Sequence, residues 1–302
     1  MRKIEKIKSL GFGLLLAYFM VNAKEGAGIL VIAHRGASSV APENTLAAGR
    51  KAAELGADAW EIDVRMTKDG ELVLLHDARL DRTTDVAQKY PHRKTLLEEF
   101  TYTELLNLSA GSWFVEHDPF GTIKAGYVSS EEIESYKSEK IPTLADALKL
   151  SAELGLKVVI EIKGPEYFTF ILPDTYKIMI EKVVSLICKY KLETMVYICS
   201  FDYNVIKYVT QIAHEINSGI ILDKLPTNVV GYLRSLPISF VSIKWTLMND
   251  ELRAALAREG FKVFVWTVND PSVMRDAVTW QCVSGVITDW PQNLLQVLQD
   301  IN

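Results

Sequence analysis

Six short clusters hold the side chains that could do chemistry. They are His34-Arg35, Glu61-Ile62-Asp63, His76-Asp77, Glu161-Ile162-Lys163, Trp266 and Asp289. Each ends or follows a short apolar, β-rich run. Glu61 and Asp63 are two residues apart, so on a strand they point to one side, as do Glu161 and Lys163. Three carboxylates gathered in one cleft repel one another, and a divalent cation is the usual neutralising partner. An all-oxygen donor set selects a hard ion, Mg²⁺ or Ca²⁺, over zinc. Arg35, Lys163 and a candidate third cation, Lys244, add positive charge beside it. Two histidines with ordinary pKa near 6.5 can move protons. Metal, cations and paired histidines together suit an anionic phosphate ester.

The elements that must bring these residues together are legible as a rhythm. Eight apolar runs read as strands: Ile29–Ala33, Ala57–Asp63, Lys157–Ile162, Met195–Ser200, Gly219–Leu222, Phe240–Lys244, Phe261–Trp266 and Gly285–Thr288. A ninth β-like run is Leu72–Leu75. Helix-period segments lie between most of them, at Leu46–Leu55, Leu144–Leu154, Tyr176–Tyr190, Asn204–Glu215 and Asp250–Glu259. Near-continuous apolar strands alternating with helices predict a parallel sheet covered by helices. Eight such units predict an α/β fold closed as a (β/α)₈ TIM barrel, whose strand C-termini form the active-site face. Residues 77–142 break the rhythm and read as an insertion between the second and third units. Their aromatic residues, among them Tyr90, Phe100, Trp113 and Tyr127, favour a packed subdomain over a disordered loop.

Composition narrows the function classes. The chain has 302 residues, 33 Lys+Arg, 38 Asp+Glu and a formal net charge of −5. No basic patch is present, which argues against a nucleic-acid partner. Cys188, Cys199 and Cys282 are far apart and odd in number. Cys188 and Cys199 could pair if the fold joined them, but a disulfide scaffold is not indicated. His92, His117 and His214 lie outside these strand-end clusters and read as surface or packing residues.

The first residues read as a secretory signal peptide. Arg2, Lys3, Lys6 and Lys8 precede an apolar run from Leu10 to Val21. Ala23 offers the cleavage point, so the mature chain is expected to span residues 24–302 and to be exported. The run is short for a bilayer span, which takes about 20 residues; an uncleaved anchor is the alternative. No cysteine stands where a lipoprotein needs one. Cleavage removes four cations and Glu5 and leaves a net charge of −8.

Two residues stay open. Asn44 either caps the helix at Leu46 or reaches toward the site. Asp289 either caps the last helix, which begins near Pro291, or joins the site.

The chain resembles the glycerophosphodiester phosphodiesterase family. The resemblance is carried by Ala33-His34-Arg35-Gly36, Pro42-Glu43-Asn44-Thr45, Glu61-Ile62-Asp63-Val64, Thr67-Lys68-Asp69-Gly70, His76-Asp77 and Leu80-Asp81-Arg82-Thr83-Thr84. It continues through Ile141-Pro142-Thr143-Leu144, Glu161-Ile162-Lys163 and Trp266-Thr267-Val268-Asn269. It covers residues 29–300, and motifs in this order are highly specific. It implies a TIM barrel with an insertion after the second strand, and hydrolysis of glycerophosphodiesters to sn-glycerol 3-phosphate and an alcohol. It implies that His34 and His76 are the acid–base pair and that Glu61, Asp63 and Glu161 hold one divalent cation. It implies that Arg35 and Lys163 contact phosphate and that Trp266 lines the glycerol pocket. The competing readings are a lysophospholipase D or sphingomyelinase D-like enzyme on the same barrel, and a secreted binding protein without turnover. Which histidine is acid, and whether water or a substrate hydroxyl attacks, is open at this point.

Overall fold

The computed structural model describes residues 28–163 and 173–301. Residues 1–23, read above as a signal peptide, lie outside the described residues. Among the described residues there are nine strands: β1 (Leu30–Ala33), β2 (Ala59–Met66), β3 (Leu72–Leu74), β4 (Lys157–Ile162), β5 (Val196–Ser200), β6 (Asn217–Leu222), β7 (Phe240–Lys244), β8 (Val263–Trp266) and β9 (Val283–Thr288). All but β3 pair in parallel, in the order β1-β9-β8-β7-β6-β5-β4-β2. Ile32 and Ala33 of β1 also pair with Ala59 and Trp60 of β2, which closes the barrel. Strand β3 folds back antiparallel on β2, with Val73 opposite Arg65.

A helix follows each barrel strand: Leu46–Leu55, Leu144–Leu154, Asp174–Tyr190, Tyr203–Ile212, Val229–Arg234, Asp250–Arg258, Pro271–Ala277 and Pro291–Ile301. The strand alternation sorts the two faces. On β2, Trp60, Ile62 and Val64 pack toward the helices, and the Trp60 indole N–H donates to Ser151 Oγ at 2.8 Å. Ala59 joins Ile32, Val159, Phe240, Phe264 and Ile287 inside the barrel. Glu61 and Asp63 continue the Ala59 side toward the C-terminal mouth.

The first loop has to turn sharply. Gly36 has φ +84°, and a Cβ there would lie 2.5 Å from Ala48 Cβ. Only glycine lets the loop press on helix Leu46–Leu55 this closely. Thr45 caps that helix by accepting from Ala48 N–H, and Gly56 closes it at φ +88°. Thr45, not Asn44, is therefore the cap.

The insertion lies inside the second unit, between its strand and helix Leu144–Leu154, rather than between the second and third units. Strand β3 belongs to the same excursion. It is packed: Leu80, Val86, Leu97, Phe100, Leu105 and Leu108 form an apolar cluster with Val73 and Leu75 of the β3 run. Trp113, Phe114 and Tyr136 merge with the core around the barrel. All three cysteines are free thiols, so the Cys188–Cys199 pairing does not form. Among the described residues no helix is long and apolar enough to cross a membrane.

Candidate active site

The barrel mouth gathers His34, Arg35, His76 and Lys163 around one buried acidic cluster of Glu61, Asp63 and Glu161. Glu61, Asp63 and Glu161 each present a carboxylate oxygen within 4.8 Å of the others, and all three are buried. Burial and the Asp63 charge push the Glu61 carboxyl up to about 8. Burial, only partly offset by Lys163, raises Glu161 as well. Burial also acts to raise Asp63, but the charges of Lys163, Arg35 and His76 outweigh it and hold Asp63 well below the usual carboxylate range. Three oxygen donors that resist ionising together are a donor set short of positive charge, and their chemistry fits a hard divalent cation.

Two cations already lean on this cluster. Lys163 Nζ lies 2.7 Å from Asp63 Oδ1 and 2.5 Å from Glu161 Oε1. Arg35 Nε lies 3.3 Å from Asp63 Oδ2, and the Arg35 backbone N–H donates to Glu61 Oε2 at 3.0 Å. That contact is made from an unusual backbone conformation, φ +55°, which a non-glycine residue keeps only where its surroundings enforce it.

Asn44, also at positive φ (+56°), reaches the site. Its Nδ2 donates to Asp63 Oδ2 at 2.7 Å, and its Oδ1 accepts from Asp63 N–H at 3.1 Å.

Each histidine is backed by a carboxylate. His34 Nδ1 lies 2.6 Å from Asp289 Oδ1, and His76 Nδ1 lies 2.6 Å from Asp77 Oδ1. An ionised carboxylate only accepts, so Nδ1 carries the hydrogen in both rings and Nε2 is left for other work. Burial and the Arg35 charge act to lower the His34 pKa. The Asp289 bond and the charges of Asp289 and Glu61 outweigh them, and the net direction is upward.

Asp289 is therefore not a helix cap. Its carboxylate also accepts from Ser38 Oγ at 2.9 Å and from Asn269 Nδ2 at 2.6 Å. Burial pushes its pKa up, but these bonds pull it down to about 2.

Behind His76 runs an ionic chain. Asp77 accepts from Arg82 Nε at 2.7 Å, and Arg82 donates through both terminal nitrogens to Glu43 at 2.7 and 2.8 Å. Glu43 in turn accepts from Arg35 Nη1 at 2.9 Å. The histidine on one side of the cluster is thus tied to the arginine on the other. Sequence reasoning gave no role to Glu43, Asp77, Arg82 or Asn269. Asp77 was signalled by standing next to His76; the others only by their motifs.

Trp266 stands at the end of β8, half-buried, edge-on to Phe201 with ring centroids 5.8 Å apart. Its indole N–H is buried without a partner among the described residues. Lys244 is exposed at the end of β7 and does not join the acidic cluster. His92, His117 and His214 are exposed, as the sequence suggested.

Comparison with known proteins places the whole arrangement. The sequence profile of the glycerophosphoryl diester phosphodiesterase family matches residues 34–293. A glycerophosphodiester phosphodiesterase of Caldanaerobacter subterraneus subsp. tengcongensis is 33% identical over 272 residues, which is 89% of this chain and 98% of that protein. One from Bacillus subtilis is 29% identical over 273 residues, 87% of this chain and 84% of that protein. A solved Oleispira antarctica phosphodiesterase, bound to its product sn-glycerol-3-phosphate, superposes with TM-score 0.74 at 27% identity. It covers 89% of this chain and 96% of its own.

Proposed function

Given that the chain belongs to the glycerophosphoryl diester phosphodiesterase family and is an enzyme of that class, we propose that it cleaves glycerophosphodiesters to sn-glycerol 3-phosphate and an alcohol, with His34 and His76 as the acid–base pair. The observation that carries this reading is the pair of carboxylate-backed histidines beside three buried acids. Each ring keeps its Nε2 for proton transfer while Nδ1 is held. One Nε2 takes the proton of the attacking oxygen, and the other gives a proton to the departing alcohol oxygen.

Glu61, Asp63 and Glu161 would hold one Mg²⁺ or Ca²⁺, which when bound supplies Lewis-acid polarisation of a phosphoryl oxygen. Arg35 and Lys163 place fixed positive charge beside that position, where negative charge grows as the phosphoryl group transfers. Trp266 offers its apolar face and its unpartnered N–H to the glycerol arm.

A second reading, lysophospholipase D activity, draws support from Phe201, which is 47% exposed beside Trp266 and offers apolar surface to an acyl chain. One experiment separates the two. Protein from Lys24 onward is offered glycerophosphocholine, glycerophosphoethanolamine, glycerophosphoinositol and lysophosphatidylcholine, with and without EDTA. EDTA-sensitive release of glycerol phosphate from the water-soluble diesters supports the main reading. Turnover of the lysolipid alone supports the second, and silence on all four overturns both.

The basic and apolar pattern of residues 1–23 supports export of the mature chain. The exported protein is expected to begin at Lys24, and an intact Met1 overturns that expectation.

A further inference from the structure

We propose that a cationic cavity beside the barrel mouth receives the departing alcohol and selects one that bears a phosphate or carboxylate. The inference rests on the phosphodiesterase reading above and deepens it.

The cavity measures about 520 Å³ and is lined by Arg65, Lys68, Lys163 and Glu98 and by apolar residues that include Leu97 and Met179. It touches the acidic cluster through Lys163, whose ammonium binds Asp63 and Glu161. It touches His76 through Arg65, whose Nε donates to the His76 carbonyl at 2.9 Å. Arg65 follows Glu61 and Asp63 at two-residue spacing on β2, so it takes the same side one step farther out.

A phosphodiester has two arms. In the closed barrel β8, which carries Trp266, stands four strands from β4 in either direction. Trp266 and the Lys163 end of the cavity therefore face each other across the mouth. If one arm meets Trp266, the other points at Arg65 and Lys68.

The charge of this second side is unbalanced. The Lys163 charge is absorbed by two carboxylates. Among the described residues, the terminal nitrogens of Arg65 and the ammonium of Lys68 have no hydrogen-bond or ion-pair partner. Among the described residues, Glu98 is the one acid in the lining. Two available cations against one acid attract an anionic substituent and repel a quaternary ammonium. The planar guanidinium, anchored at Nε, presents its remaining donors as a fork suited to phosphate or carboxylate.

The test compares kcat/KM of the mature enzyme for glycerophosphoinositol 4-phosphate, glycerophosphoinositol and glycerophosphocholine. The phosphorylated diester is expected to exceed the choline diester by ~10-fold at low salt, and the gap is expected to shrink as salt screens it. Lys68→Glu reverses an exposed charge without touching the core, and is expected to lower the phosphorylated-to-choline ratio by ~10-fold. Arg65→Gln is expected to lower the same ratio. Equal kcat/KM for all three diesters, or a ratio that neither variant moves, overturns the inference and leaves the phosphodiesterase reading standing. Turnover of none of them overturns that reading, and the inference with it.

Discussion

His34 Nδ1 and Asp289 Oδ1 lie 2.6 Å apart although 255 residues separate them in the chain. The contact joins the end of the first barrel strand to the end of the last and holds Nδ1, which leaves Nε2 for the proton transfer proposed above. Asp289→Asn keeps the shape but removes the charge that holds the ring. It should lower kcat by ~10²-fold or more with the circular dichroism spectrum unchanged. Wild-type kcat in that variant would remove Asp289 from the mechanism.

His34→Ala and His76→Ala should each lower kcat by at least ~10²-fold in a folded protein. The double variant should be little worse than either single one, because each proton transfer needs the other. Rates that multiply independently would mean that the two rings serve separate steps.

The chain Asp77–Arg82–Glu43 predicts an effect that acts through His76. Arg82→Ala should reduce kcat by ~10-fold, since Asp77 loses the partner that fixes it. In a His76→Ala background the same substitution should cost almost nothing. A full additional loss there would show that Arg82 acts elsewhere, for instance through Glu43 on Arg35.

The acidic cluster ties the proposed metal binding to pH. Burial and the Asp63 charge push the Glu61 carboxyl up to about 8 from an ordinary 4.5. Between these values the folded chain holds a proton that the unfolded chain has lost, so metal-free stability falls as pH rises through that window. His34, whose pKa is also raised, works in the same direction. Asp289, lowered to about 2, acts oppositely and only in acid: its contribution is present above its ordinary 3.8 and is lost toward pH 2. Excess Mg²⁺ or Ca²⁺ should therefore raise Tm more at pH 8 than at pH 5, read by calorimetry against EDTA-treated protein. An equal Tm shift at both pH values would argue that the cluster does not bind the ion.

Much of the fold was legible because parallel barrel strands are buried on both faces. Val158–Ile160 and Val263–Val265 show this as uninterrupted apolar runs that no surface strand would carry. The acids were legible for the complementary reason: Glu61, Asp63 and Glu161 interrupt such runs near their C-terminal ends. What stayed hidden is contact made through the fold. Asp289 looks like a helix cap in one dimension because Pro291 follows it, and only the β1–β9 pairing shows that His34 is its neighbour. Asn44 looks like a cap because Leu46 begins a helix, yet its amide is taken up by Asp63 while Thr45 caps. Arg82 gives no sign in its local sequence that Glu43, 39 residues away, will receive it.

Strand β1 meets β9 in parallel, residue for residue from Leu30–Gly285 to Ala33–Thr288. This seam is formed by the two ends of the barrel, and the His34–Asp289 pair sits at its rim. A ribosome that has delivered the first 280 residues has made both histidines and all three acids, but not the carboxylate that orients His34. In the mechanism proposed above, catalytic competence thus arrives with the last strand. A chain cut short before β9 would carry nearly the whole active site in its sequence, with its first histidine left unguided.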